Sequence, residues 1–338
     1  MVTRCYLTSP IQTLALMILV VLLGACTATT TTQNWPNFVT PDEHYESVLE
    51  RQKAGIESQG EILDALPEKS VEEYEQLGDA HVRNKHIGQA LVQYQKALKL
   101  DPSRVPLRYK AGILLVNHGN PQAAKGQFEE ILQQDLMYAL AYEGLGQAML
   151  QLGEGLEADQ QFRRALSFDA TLWKSHNYLG ILADRRHLHL SAIEAYKEAL
   201  AIQPKEPSVL NNLGMAYYMN GQYQQAIRVL HLALQVGGGQ PPKIANNLGL
   251  SLAKLGRFSE AYDAFRKGTN SAMAYNNVGI ALLEAGTPGR AASCFEKAIK
   301  LHPAYYEKAN ENLTYAQRVV HTDQPSRSHT SPQSVACF

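Results

Sequence analysis

A unit of 34 residues, repeated along most of the chain, constrains this sequence more than any other feature. Gly78, Gly112, Gly146, Gly180 and Gly214 stand 34 apart, and so do Ala90, Ala124, Ala158, Ala192 and Ala226. Two phase slips follow. One residue is added in Gly237-Gly238-Gly239, and four are lost before the last unit. The register resumes at Gly249 with Ala261 and at Gly279 with Ala291. Units therefore begin near Val71, Val105, Ala139, Trp173, Pro207, Pro242 and Ala272. Each splits into two segments of helical apolar spacing, joined by a short turn that often holds glycine: Gly119, Gly153, Gly221, Gly256 and Gly286. Two amphipathic helices cannot bury their apolar faces alone, so neighbouring units must stack. Gly at the eighth position and Ala at the twentieth put almost no side chain where the helices of a pair cross. Ala97, Ala165, Ala199, Ala233 and Ala298 do the same toward the next pair. Leu145, Phe162, Leu179, Tyr196, Leu248, Phe265 and Phe295 fill the space between. The four lost residues equal about one helical turn and predict a trimmed second helix in the sixth unit.

The clearest copy runs from Val71 to Arg104, with Tyr74, Leu77, Gly78, Ala90, Tyr94, Ala97 and Pro102 at set offsets. This resembles the tetratricopeptide repeat (TPR) pattern. The resemblance implies an all-α TPR superhelical solenoid of about seven helix-turn-helix repeats over 71–305. An amphipathic stretch over 306–320, with Leu313 and Val319, is expected to cap the open end. In such arrays the first helix of each pair lines the concave face, mainly through its second, fifth, ninth, twelfth and thirteenth positions.

The flanks have different characters. Residues 1–25 read as a signal peptide: Arg4 gives a short charged region and Thr13 to Leu23 an apolar one, too short for a comfortable span. Leu23-Gly24-Ala25-Cys26 resembles a bacterial lipobox, which implies that Cys26 receives the lipid and becomes the mature N-terminus. Thr27, in place of the Asp that signals inner-membrane retention in many Gram-negative lipoproteins, points to the outer membrane. Residues 26–39 are Thr-rich and read as a tether. Residues 40–70 form an acidic segment of helical spacing that opens on Thr40-Pro41-Asp42-Glu43. Ser70-Val71-Glu72-Glu73 is a second capping box and starts the first repeat. Residues 321–338 are polar and read as a disordered tail.

Charge and motifs narrow the function by exclusion. A formal net charge of −1 argues against a nucleic-acid or acidic-surface binder. No phosphate loop, dinucleotide fingerprint, zinc-protease helix or nucleophile elbow is present, so neither an enzyme nor a cofactor is expected. His187 and His189 read as exposed turn residues rather than metal ligands. Cys5, Cys26, Cys294 and Cys337 have no spacing that suggests a disulfide framework. Cys294 reads as a packed thiol. Cys337 lies in the tail, where an adventitious disulfide is open to it. Stability is expected from stacking, not from bridges or metals.

One constellation remains. The fifth position of the first helix reads Asn177, Asn211, Asn246 and Asn276 in the last four repeats, and the sixth reads Asn212, Asn247 and Asn277 in the last three. An amide side chain both donates and accepts, so a row of them can hold the backbone of an extended peptide. Ile181, Met215, Leu250 and Ile280, with Tyr218, supply apolar rungs beside the row. The fifth-position asparagines are expected to face water in the free protein. The sixth-position ones fit packing or turn hydrogen bonds better than they fit a ligand, and the fifth-position ones fit either role equally well. The row resembles the asparagine ladders of some peptide-binding TPR superhelices. Glu75, Tyr109 and Glu143 break it in the first three repeats, which places the groove in the C-terminal half.

A lipobox ahead of an all-TPR body resembles three envelope families: the TadD lipoproteins of Flp (Tad) pilus machines, the TPR pilotins of type IV pili, and the NlpI-like adaptors of peptidoglycan hydrolases. Asn246-Asn247-Leu248-Gly249, the shortened repeat, Tyr275-Asn276-Asn277-Val278-Gly279 and Ala309-Asn310-Glu311-Asn312-Leu313 resemble the end of TadD-type proteins. That resemblance implies a lipid-anchored, periplasm-facing scaffold on the outer membrane with protein partners, among them pilus or secretin components.

Overall fold

The capping box expected at Ser70 forms. The Ser70 hydroxyl accepts from the Glu73 amide at 3.2 Å, and the Glu73 carboxylate accepts from the Ser70 amide at 2.7 Å. The structure is a computed structural model describing residues 69–237, 242–301, 307–323 and 336–338. The signal segment, Cys26, the tether and nearly all of the acidic segment lie outside the described residues.

Fifteen helices and no strand occur among the described residues. They pair as α1 (Val71–Arg83) with α2 (Ile87–Leu100), α3 (Val105–Asn117) with α4 (Pro121–Gln134), α5 (Ala139–Leu152) with α6 (Gly155–Phe168), and α7 (Trp173–Arg185) with α8 (His189–Ile202). Then come α9 (Pro207–Met219) with α10 (Tyr223–Val236), α11 (Pro242–Lys254) with α12 (Phe258–Gly268), and α13 (Ser271–Glu284) with α14 (Pro288–Leu301). The last helix, α15 (Glu307–Asp323), packs on α14 and meets α13, so it closes the array as expected of a cap.

Each pair is set by one contact. The eighth-position glycine of the first helix lies under a large side chain at the twenty-fourth position of the repeat: Tyr94, Phe128, Phe162, Tyr196, Leu230, Phe265 or Phe295. A Cβ on Gly146 would stand 2.7 Å from the Phe162 ring, and one on Gly180 2.5 Å from the Tyr196 ring. The helices can approach only because that carbon is absent. The twentieth-position alanines, Ala90 through Ala291, are fully buried at the same crossing. The turns repeat as faithfully. The fifteenth position of the repeat, in the turn, is left-handed in all seven pairs, with glycine in five and Lys85 (φ 61°) and His187 (φ 59°) in the other two.

The lost turn falls where the sequence places it. Helix α12 has 11 residues, whereas α8, α10 and α14 have 14. Thr269 leaves the helix in an extended conformation, and Asn270 caps α13 at once by accepting from the Met273 amide at 2.8 Å. The twenty-seventh position, a buried alanine in most repeats, is here Gly268. A Cβ on it would stand 2.7 Å from the Pro242 carbonyl oxygen, so backbone packs directly on backbone.

Two expectations for the C-terminus need correction. Cys294 and Cys337 form a disulfide with a Cα–Cα distance of 4.9 Å, and both are fully buried. The last three residues are therefore docked on the body rather than free, and stacking is not the sole source of cohesion. The sequence hid this because the pair is 43 residues apart and follows no period.

The glycine contact yields a stability prediction. The Tyr196 hydroxyl donates to Asp184 at 3.0 Å, so its ring cannot swing away from added bulk. Gly180→Val should cost about 1–3 kcal/mol by overpacking. Hydrogen exchange should rise first in α7 and α8 and their flanking helices, because each repeat touches only its neighbours. Exchange that rises only in distant repeats would contradict this account.

Candidate functional site

Successive first helices touch one another from α3 onward, and their fifth and sixth positions lie at that seam. The asparagines meet there. Asn212 donates to Asn177 at 3.1 Å, Asn247 to Asn211 at 2.8 Å, and Asn277 to Asn246 at 3.5 Å. A fourth rung was not foreseen: Asn312 of α15 donates to Asn276 at 3.0 Å. The fifth position of one repeat thus accepts from the sixth position of the next, and the capping helix behaves as the first helix of an eighth repeat. The same register holds at the other end with different chemistry, where Lys110 donates to Glu75 at 2.7 Å.

These bonds revise the expected exposure. Asn177, Asn211 and Asn276 are 5–8% exposed, as is Asn247, while Asn246, Asn212, Asn277 and Asn312 are half-buried. The fifth-position side chains are thus spent largely on joining repeats. What remains accessible beside them is the apolar row. Ile181, Met215, Leu250 and Ile280 are half-buried, Tyr218 is half-buried, and Met219 is exposed. Burial raises the Tyr218 pKa above the usual phenol value, against the opposing pull of Lys254. Lys254 is itself paired with Glu284 at 2.7 Å.

The break in the row has its own chemistry. Gly144 occupies the sixth position of the third repeat and offers no donor to Tyr109; its backbone lies under Phe128 instead. Glu143 is 3% exposed and accepts from Ser175 Oγ at 2.9 Å. Burial raises the Glu143 carboxyl above its ordinary value, and the Ser175 hydrogen bond and Lys174 only partly offset that. Burial, with Glu143 as the next cause, pushes the Tyr109 phenol up to about 12. Nothing in the sequence pattern separates this buried carboxyl from the solvated glutamates around it. The fifth-position register was the only available signal. His189 is not an exposed turn residue: its ring is half-buried and 3.0 Å from Asp184, while His187 is exposed in the turn. Among the described residues, no group of three or more His, Cys, Asp or Glu could hold a metal.

Two predictions follow from this seam. Asn211→Ala strands the buried Asn247 amide and should cost about 1–3 kcal/mol in denaturant titration, whereas Asn246→Ala, half-buried with a longer rung, should cost less. Equal costs would show that the rungs contribute little. For Glu143 the sign runs the other way from a paired surface carboxylate. Its folded pKa lies above the unfolded value, so the protonated form is favoured on folding and stability falls as pH rises through the folded pKa. Glu143→Gln should raise Tm at pH 7, with the difference vanishing below about pH 4. A constant difference at every pH would refute the linkage.

Comparison with known proteins agrees with this geometry. Family models described as tetratricopeptide repeat match residues 72–104, 109–171 and 207–237, and one described as TPR repeat matches 191–221. Tetratricopeptide repeat protein 6 of Homo sapiens is 28% identical over 147 residues, covering 44% of this chain and 28% of the relative. The type IV pilus assembly protein PilF of Pseudomonas aeruginosa is 29% identical over 128 residues, covering 38% of this chain and 51% of PilF. The chain thus spans about half or less of the length of these curated relatives. The crystal structure of the APC/C hetero-tetramer Cut9-Hcn1 superposes with a TM-score of 0.53 at 20% identity, covering 80% of this chain and 52% of the other. The 34-residue period, the glycine-seated helix pairs and these matches together identify the body of the chain as an array of tetratricopeptide repeats.

Proposed function

We propose that this chain is a lipid-anchored TPR scaffold of the outer membrane, facing the periplasm, that helps assemble a pilus of the Flp/Tad type or a related secretion machine. The observation that carries the reading is Leu23-Gly24-Ala25-Cys26 placed after an apolar segment and before a body of repeats. The disulfide supports an exported chain, since such bonds persist in oxidising compartments and are rare in the cytosol. The half-buried apolar row of Ile181, Met215, Tyr218, Leu250 and Ile280 supports docking of a protein segment along the first helices. The asparagine rungs leave a subordinate role in that contact to Asn212, Asn246 and Asn277, whose amides keep some exposure. Likeness to a type IV pilus assembly protein favours a second reading, a pilotin of type IV pili that helps a secretin reach the outer membrane.

Labelled palmitate should enter the wild-type chain and not Cys26→Ser, and the variant should appear in the soluble periplasmic fraction. Equal labelling of both defeats the anchor. In cells lacking the chain, the secretin should fail to form oligomers in the outer membrane if the pilotin reading holds. If the Flp/Tad reading holds, oligomers should form while surface pili are lost. Normal oligomers together with normal pili would overturn both.

A further inference from the structure

The sixth repeat departs from the others at its second helix. It has lost part of its second helix and two residues of the following loop, and its twenty-seventh position has lost the usual alanine methyl. The end of the chain returns to this place. The Cys294–Cys337 bond fixes the last three residues, Ala336 to Phe338, to α14. Phe338 then reaches across to the trimmed helix. Its ring centroid lies 5.4 Å from that of Tyr262 on α12 and 5.8 Å from that of Tyr275 on α13, and those two tyrosines are 4.4 Å apart. Lys297 of α14 places its ammonium 5.4 Å from the Tyr275 ring centroid and 5.9 Å from that of Phe338. Arg290 of α14 donates to the Cys337 carbonyl at 3.2 Å and lays its guanidinium 5.4 Å from the Phe258 ring centroid on α12. One tripeptide therefore binds α12, α13 and α14 by a covalent bond, a hydrogen bond and an aromatic–cation cluster. Offset aromatic contacts and cation–π pairs both favour such an arrangement.

We propose that the C-terminal tripeptide is a redox-locked brace, which joins the shortened sixth repeat to the seventh only when Cys294 and Cys337 are oxidised. Closing it turns two thiols into one disulfide. Two protons and two electrons leave, and an incoming disulfide of the thiol–disulfide exchange class takes them up as two thiols. A reducing compartment holds the brace open and an oxidising one closes it. The C-terminal repeats are thus firm only where the bond can form. The brace is independent of which envelope machine the chain serves.

The test is hydrogen exchange on the full chain, oxidised and after reduction by a phosphine, with thiols titrated in each state. Reduction should expose two further thiols and speed exchange in α12 to α14 by roughly tenfold or more, with α1 to α8 unchanged. Cys337→Ser should reproduce the reduced pattern without reductant. Phe338→Ala retains the disulfide and should give a smaller acceleration in the same helices, which separates the ring from the bond. Unchanged exchange in α12 to α14 on reduction overturns the brace, as does acceleration spread evenly over all the helices. If Phe338→Ala exchanges like wild type, the aromatic clamp is overturned and the covalent lock alone survives.

Discussion

A missing Cβ under a large side chain is the constraint on which the rest of this array depends. Seven times, a glycine at the eighth position admits Tyr, Phe or Leu from the partner helix to a distance that any other residue would forbid. The contact fixes the separation of the two helices of each pair and seats the twentieth-position alanine at the crossing. It is mostly private to the pair. Phe128 is an exception, since it also covers Gly144 of the next repeat. Cohesion between pairs must therefore come from other contacts. Among the described residues, the buried apolar side chains divide into four clusters rather than one continuous core, as expected where each repeat meets only its neighbours.

The seam between first helices supplies part of that cohesion, and it changes chemistry along the chain. Glu75 and Lys110 make a charged rung at the N-terminal end, backed by Arg104 on Glu72 and Glu75 and by Lys110 on Asp79. The amide rungs of the C-terminal half carry no charge. Salt screens the first kind, the more so since the Lys110 side chain is 42% exposed, and leaves the second nearly untouched. The two halves should then respond differently to ionic strength although they share one fold.

How much of this could be read from the sequence follows from what is periodic. The glycines, alanines and turns recur every 34 residues, so the helix pairs and even the trimmed α12 are legible without coordinates. The position of the asparagines was legible too, but not their burial. Exposure at the fifth position depends on the sixth-position residue about 35 residues later, and reading one helix at a time treats that neighbour as absent. Asn312 lies one residue beyond Glu311, where the 34-residue register puts the next sixth position, so the period alone does not find it. Glu143 and the Cys294–Cys337 pair have no periodic partner. Glu143 accepts from the third-position Ser175 rather than from a sixth-position residue, and Cys337 lies beyond the last repeat; a consensus pattern averages such departures away.

Where the amide rungs are complete, the fifth-position side chains are held from behind, and the ninth-position residues Ile181, Met215, Leu250 and Ile280 stand as the accessible row. An apolar row on first helices whose registers are tied by hydrogen bonds keeps its spacing whether or not a ligand is present. A partner segment laid along it then has little ordering of the scaffold to offset, which is the usual advantage of a preorganised site. On the proposed docking reading, the rungs set the distances at which the apolar row is presented, beside the lesser contact left to Asn212, Asn246 and Asn277.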